Sequence, residues 1–191
     1  MPYSTKPSEY LTGQLLIAMP GMMDPRFQRT VIYMCAHNAD GAMGLVINKL
    51  FGSITFNDLL EQLGLEDARP AANMPVHYGG PVESGRGFVL HSTDYVREGT
   101  LVVDDEVALT ATIDILRAIG ENRGPKRSVL LLGYAGWGPG QLDAEIQANG
   151  WLNVPCDEDL LFDPDLEAKW ERAIGKLGAS ISMLSGEAGH A

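Results

Sequence analysis

Val129-Leu130-Leu131-Leu132-Gly133-Tyr134-Ala135-Gly136-Trp137-Gly138-Pro139-Gly140-Gln141-Leu142 is the stretch on which the fold class turns. Its first four residues are consecutively apolar, the mark of a strand buried on both faces and therefore central in its sheet. Pro139 then opens a helix that carries Leu142 and Ile146 inward and ends before Gly150. The glycine-rich segment between them is not G-x-G-x-x-G, because Gln141 takes the place of the third glycine, and no Lys-Ser/Thr follows to make a P-loop. Two readings stand level. Glycines let a ligand approach the backbone, and free N-H groups at a helix start attract anions. Alternatively, Gly133, Gly136 and Gly138 only allow a tight strand-to-helix turn, Trp137 packs on the core, and Asp143 and Glu145 complement the helix dipole.

Outward from this stretch the chain alternates short strands with helices. Residues 15–18 read as a buried strand, ended by the Pro- and Gly-containing segment 20–25. Residues 30–36 and 41–48 pair as a hairpin through the turn at 38–41. Phe56, Leu59, Leu60 and Leu63 make one helical face, Thr55 and Asp58 have capping-box spacing, and Gly64 stops the helix. A loop at 67–73 precedes strands at 75–78 and 87–91, which a turn-rich segment separates. Residues 101–104 and 107–109 suit a further pair, and 112–122 a helix with Ile113, Leu116 and Ile119 or Gly120 inward. The last helix takes Asp163 as N-cap and Pro164 as its first residue, places Leu166, Trp170, Ile174 and Leu177 on one face, and has Gly178 past its end. Runs of strands between helices predict an α+β domain rather than a βαβ repeat. Residues 1–10 and 186–191 read as a loose lead-in and tail to a single domain spanning 1–191.

Composition limits the function classes. The 191 residues are 45% hydrophobic and 20% charged, enough for a core and too polar for a membrane-spanning protein. Twenty-five acids against fourteen bases give a net charge of -11, which disfavours direct binding to nucleic acid or anionic lipid. No run reaches the ~18 apolar residues of a membrane helix, and residues 15–19 are too short for a signal-peptide core. Cys35 and Cys156 belong to no C-x-x-C pair or Cys/His group, so the expectation is free thiols, no metal, no cofactor and a cytoplasmic location. Asp40 and His77 are at most partners in a ligand set.

Chemistry-bearing residues gather where apolar runs end. His37 and His91 each follow a strand, and if those strands share a sheet in compatible directions the rings converge as an acid/base pair. Their bland reading is two separate rings that bond to loops. Asn48 and the Gly79-Gly80-Pro81 turn sit at strand ends as well, each alone more often a turn former than a ligand contact. The sharpest expectation is one cleft that gathers His37, Asn48, Gly80, Pro81, His91, Trp137, Gly140 and Gln141, with Trp137 as a wall. Such a cleft serves either a regulatory or ligand-binding module with a small-molecule or protein partner, or an enzyme that uses His37 or His91 on a substrate held at residues 136–141.

Several ordered motifs extend over nearly the whole chain. They comprise residues 11–20, Asp24 with Phe27, His37 with Gly41-Ala42-Met43-Gly44-Leu45-Val46-Ile47-Asn48, Gly79-Gly80-Pro81-Val82, Phe88-Val89-Leu90-His91, and residues 133–137 with Gly140-Gln141-Leu142 and Glu145. Together they resemble the bacterial YqgE/AlgH family. Gly150 before Trp151 departs from the Ala common there. The resemblance implies a single α+β domain with a mixed, strongly curved sheet packed with helices, in a cytosolic bacterial protein. It implies no defined reaction. One branch is named for an effect on alginate production and is described as a transcriptional regulator, for which this chain offers no standard DNA-binding motif.

Overall fold

The computed structural model describes residues 10–65 and 74–177. The expected lead-in up to residue 9, the loop at 67–73, Gly178 and the tail lie outside the described residues. Ten strands are present among those described: β1 Gln14–Ala18, β2 Val31–Asn38, β3 Gly41–Val46, β4 Leu50–Thr55, β5 Pro75–Tyr78, β6 Val82–His91, β7 Thr100–Val102, β8 Ala108–Thr110, β9 Ser128–Trp137 and β10 Trp151–Pro155. Five helices accompany them: α1 Phe56–Gln62, α2 Ile113–Gly120, α3 Gln141–Gln147, α4 Glu158–Leu161 and α5 Lys169–Gly175. The strands form one strongly curved sheet in the order β10-β1-β2-β3-β9-β6-β8-β7, with β5 joined to β9 and β4 to β5. The β5–β9 pair is parallel and the others antiparallel, so the sheet is mixed and the class α+β.

The apolar run at 129–132 lies at the centre of this sheet for the reason its sequence predicts. Val129 and Leu131 join the core on one face, beneath Trp170 and Leu161, while Leu130 and Leu132 join a second core beneath α1 and α2. A third core, under α3, takes Ala135, Trp137, Leu142 and Trp151. One strand therefore stitches three apolar clusters together. It continues without a break to Trp137, so the glycine-rich segment is mostly strand rather than loop.

Gly80 and Gly133 make that continuity possible. One edge of β9 carries β5 at Leu130–Leu132 and then β3 at Ala135–Trp137, whereas β6 occupies the other edge. The chain leaving β5 must cross β9 within a few residues to enter β6. Gly79 bridges the gap, its N-H donating to Leu132 O and its carbonyl accepting from Val46, both at 2.8 Å. A Cβ at Gly80 would overlap the Tyr134 carbonyl, and one at Gly133 would overlap the Gly80 oxygen. Both also have positive φ, 156° and 77°. The crossing is a backbone-on-backbone contact, and it needs glycine on both sides.

Several expectations are corrected. β6 begins at Val82, so residues 83–86 are strand rather than turn. β4 and β10 are strands that the sequence pattern does not announce, their polar and glycine positions masking the alternation. Ile113 is half-exposed and Ile115, Leu116, Ala118 and Gly120 turn inward, a rotation of the expected face of α2. The final helix starts at Lys169, not Pro164: Asp163 Oδ1 accepts from Asp165 N at 2.8 Å, closing a turn instead of capping a helix. Trp170 and Ile174 do face the core, with Trp170 Nε1 donating to Ala18 O at 2.8 Å. The capping box at Thr55 and Asp58 is formed, both reciprocal bonds present.

Candidate functional site

Helix α3 lies over the end of β9 and divides what the sequence groups together. Leu142 is buried and Ile146 half-buried against the sheet. At 100° per residue, Gln141 and Glu145 share one flank of the helix and Asp143 falls on the other. On the first flank the Glu145 carboxylate is the hub. Its Oε1 accepts the indole N-H of both Trp137 and Trp151, and its Oε2 accepts the Gln141 amide, each at 3.0 Å. Gln141 Oε1 in turn accepts from Gly138 N at 3.0 Å. The two indoles meet edge to face at 6.1 Å, and Phe27 meets Trp151 likewise at 5.7 Å.

These groups wall a cleft of about 430 Å³. Pro81, Gly136, Trp137 and Gln141 line it as the sequence predicts. Glu145, Trp151, Phe27, Asp24 and Arg26 line it too. Arg26 grips Asp24 through Nε and Nη2 at 3.0 and 2.7 Å, and this holds the Asp24 carboxyl below the usual carboxylate range. Reading Glu145 only as a dipole complement misses its role. The signal available was the i,i+4 spacing of Gln141 and Glu145, with Trp151 one residue beyond a glycine.

The other expected members lie elsewhere. His37 is on the second flank of α3: its Nδ1 accepts from Leu11 N at 3.0 Å and its Nε2 faces Asp143 Oδ1 at 3.2 Å. His91 pairs with Ser128 at the opposite end of β9 from Trp137, which the strand rise places on the order of 30 Å away. Its Nδ1-H donates to Ser92 O and its Nε2 contacts Thr110 Oγ1, both at 2.8 Å, and burial depresses its pKa. The two histidines therefore do not converge, and neither ring keeps a free nitrogen. Asn48 ties the hairpin base, accepting from Val31 N at 3.0 Å and donating to Arg29 O at 2.8 Å. Gly80 belongs to the crossing over β9. Gly140, at φ 72°, is the N-cap of α3, a helix of only seven residues. The eight-residue single cleft is thus reduced to Pro81, Trp137 and Gln141 with new neighbours.

Both carboxylates of the cleft are engaged, Glu145 by three donors and Asp24 by Arg26. Cys35 and Cys156 are free thiols, both pushed up to about 12 chiefly by burial. Among the described residues no three His, Cys, Asp or Glu side chains are grouped to hold a metal ion, and no helix is long and apolar enough to cross a membrane.

A family model described as AlgH-like matches residues 15–182. A UPF0301 protein of Rhodospirillum rubrum is 56% identical over 182 residues, covering 95% of each chain. A UPF0301 protein of Allorhizobium ampelinum is 52% identical over 202 aligned positions, covering all of both. Among solved structures, the AlgH protein of Pseudomonas aeruginosa superposes with a TM-score of 0.79 at 43% identity over 97% of each chain. A protein of Corynebacterium diphtheriae shares the fold at 16% identity, with a TM-score of 0.75 over 97% of this chain and 94% of that one.

Proposed function

The chain belongs to the AlgH-like family, and from that premise and the cleft beside α3 we propose that it is a cytoplasmic ligand-binding module whose effect on expression is indirect. The observation that carries this reading is the Glu145 hub, which locks two indoles and an amide around a cavity of ligand size. A fixed aromatic corner loses little side-chain freedom on binding, so it suits a planar molecule stacked on Trp137 and Phe27. The Asp24–Arg26 pair at the rim supplies a polar edge, and the planar guanidinium recognises a carboxylate or carbonyl on the ligand. The net charge of -11 and the scatter of basic residues along the sequence argue against DNA as the direct partner. An acid/base role for His37 or His91 finds no support in their fully engaged rings.

Screening the purified protein against metabolite pools by thermal shift tests the proposal. The expected result is a concentration-dependent rise in melting temperature for one chemical class. That rise should shrink in Arg26→Ala and disappear in Trp137→Ala. A screen with no hit, or a rise untouched by either substitution, overturns the reading. Sequence-specific DNA binding at submicromolar protein and moderate salt would replace it.

A further inference from the structure

At the other end of β9 a second cavity, also of about 430 Å³, opens over β5 and is roofed by the segment between α4 and α5. It shares no lining residue with the tryptophan cleft. His77, only 6% exposed, lines it. Nδ1 lies 3.1 Å from the Leu130 carbonyl, an acceptor, so Nδ1 carries the hydrogen and Nε2 presents a lone pair. No donor among the described residues meets that lone pair, and Nε2 is not among the sealed, unpaired atoms of the core. It opens on the cavity. No protein group competes for this acceptor, so a ligand donor that enters the cavity can take it.

The surroundings decide what kind of donor fits. Phe162, Val129 and Leu166 give apolar walls. The buried Lys169, whose ammonium donates to Ile47 O at 3.1 Å and Leu161 O at 2.8 Å, acts on the ring electrostatically. Burial lowers the affinity of His77 for a proton and the Lys169 charge adds to this, so the ring is held neutral with its pKa pushed down to about 4. A ligand cation against Nε2 would be repelled by the same ammonium, so the contact there must be a neutral O-H or N-H. Asp165 and Glu167 stand at the mouth, both exposed and without an ion-pair partner among the described residues, whereas Asp163 is engaged by Arg172 at 2.5 Å. The mouth therefore attracts positive charge and the floor a neutral donor.

We infer that this cavity is a second ligand site, for a small arylalkylamine that carries a hydroxyl or N-H donor on its ring: donor on His77 Nε2, ring between the apolar walls, ammonium at Asp165 and Glu167.

Tyramine is the probe, with phenethylamine lacking the hydroxyl and tyrosol lacking the charge, each followed by calorimetry and by the His77 ring nitrogen resonances. Saturable tyramine binding is expected to shift the Nε2 resonance, with phenethylamine about tenfold weaker for want of one buried hydrogen bond. Asp165→Asn/Glu167→Gln, two exposed substitutions, should weaken tyramine several-fold and leave tyrosol unchanged at an unaltered melting temperature. His77→Phe should erase the difference between tyramine and phenethylamine, while Arg26→Ala leaves all three affinities alone. No saturation at millimolar tyramine, equal affinities for tyramine and phenethylamine, or indifference to the double substitution overturns the inference.

Discussion

The two ends of β9 carry cavities of the same size built on opposite principles. At the Trp137 end both indole N-H groups have an acceptor, and the carboxylate of Glu145 is consumed in holding them and the Gln141 amide. At the Ser128 end the imidazole of His77 keeps a lone pair over the cavity and feels the charge of the Lys169 ammonium. The first end is a finished wall, and under the proposed function its specificity would lie in shape and in the Arg26 rim. The second end keeps an unmet hydrogen-bonding demand, and its specificity would lie in what satisfies it. Between the two, the Gly80–Gly133 crossing fixes the register of β5, β6 and β9, so both cavities depend on one backbone contact.

Breaking that contact should therefore have the largest effect of any single change considered. Gly133→Ala and Gly80→Ala each force a Cβ into backbone that cannot move without disrupting a central strand. Each is expected to destabilise by more than about 4 kcal/mol, close to loss of folding, in thermal or denaturant unfolding. Gly140→Ala is the control: the same left-handed φ, but open space around the added Cβ, and a cost of about 1–2 kcal/mol. Equal effects at Gly133 and Gly140 would mean that the crossing yields.

The Ser128 end should be recognisable by its response to pH. The folded pKa of His77, about 4 against an ordinary 6.5, means that the unfolded chain binds the extra proton between those values. Stability thus rises as pH climbs from 4 to 6.5 and is lost on acidification, by about 3 kcal/mol in full. His77→Phe should flatten this portion of the urea-unfolding profile. Lys169 has a folded pKa of about 8 against 10.5, through burial first, so stability should rise again from pH 8 to 10.5, and Lys169→Met should remove that rise. Profiles that match wild type in both variants would show that the two groups are better hydrated than their burial indicates.

Legibility in the sequence followed the same divide. The four-residue apolar run placed β9 at the centre because burial on both faces leaves no polar alternation, and the hairpin and the Thr55 capping box are local signals that tertiary packing did not override. Of the cleft, Pro81, Trp137 and Gln141 were legible from their place beside the glycines. The histidines were not, because a strand end does not reveal which end of a ten-residue neighbour it will join; the register His91 to Ser128 and Ala42 to Trp137 decides that. The hub was hidden for a related reason. Glu145 in the first turns of a helix looks like a dipole partner until Trp151, brought in by the unread β10, shows what it binds. His77 was visible as a lone histidine, but its significance rests on which carbonyl takes its Nδ1 hydrogen, a fact of the parallel pairing with β9.

Glu145→Gln tests the finished end. The amide keeps the shape but offers one acceptor oxygen and turns a donor toward groups that are already donors. Its oxygen can stay on both indoles, which share Oε1, so its NH2 faces the Gln141 amide: that bond is lost and the two indole N-H groups exchange a charged acceptor for a neutral one, for an expected loss of about 1 kcal/mol. Tryptophan fluorescence should change in position, since Trp137 and Trp151 share the hub. A variant of wild-type stability and spectrum would show that the indoles are held by packing alone.

Arg26→Ala should have the smallest effect on the fold and so separates binding from stability most cleanly. Arg26 is mostly exposed and its pairing with Asp24 is local, two residues apart on a loop, so screening by water leaves it little to contribute. Its stacking over Phe27, 5.4 Å to the ring centroid, covers the aromatic edge of the cleft without being needed to bury it, because Phe27 also packs on Trp151. The melting temperature should therefore move by less than about 2 °C. Loss of ligand-induced stabilisation in a variant of unchanged melting temperature would assign Arg26 to recognition. A large drop in melting temperature would instead make the Asp24–Arg26 loop part of the scaffold, and the polar rim of the cleft would have to be sought in Gln141.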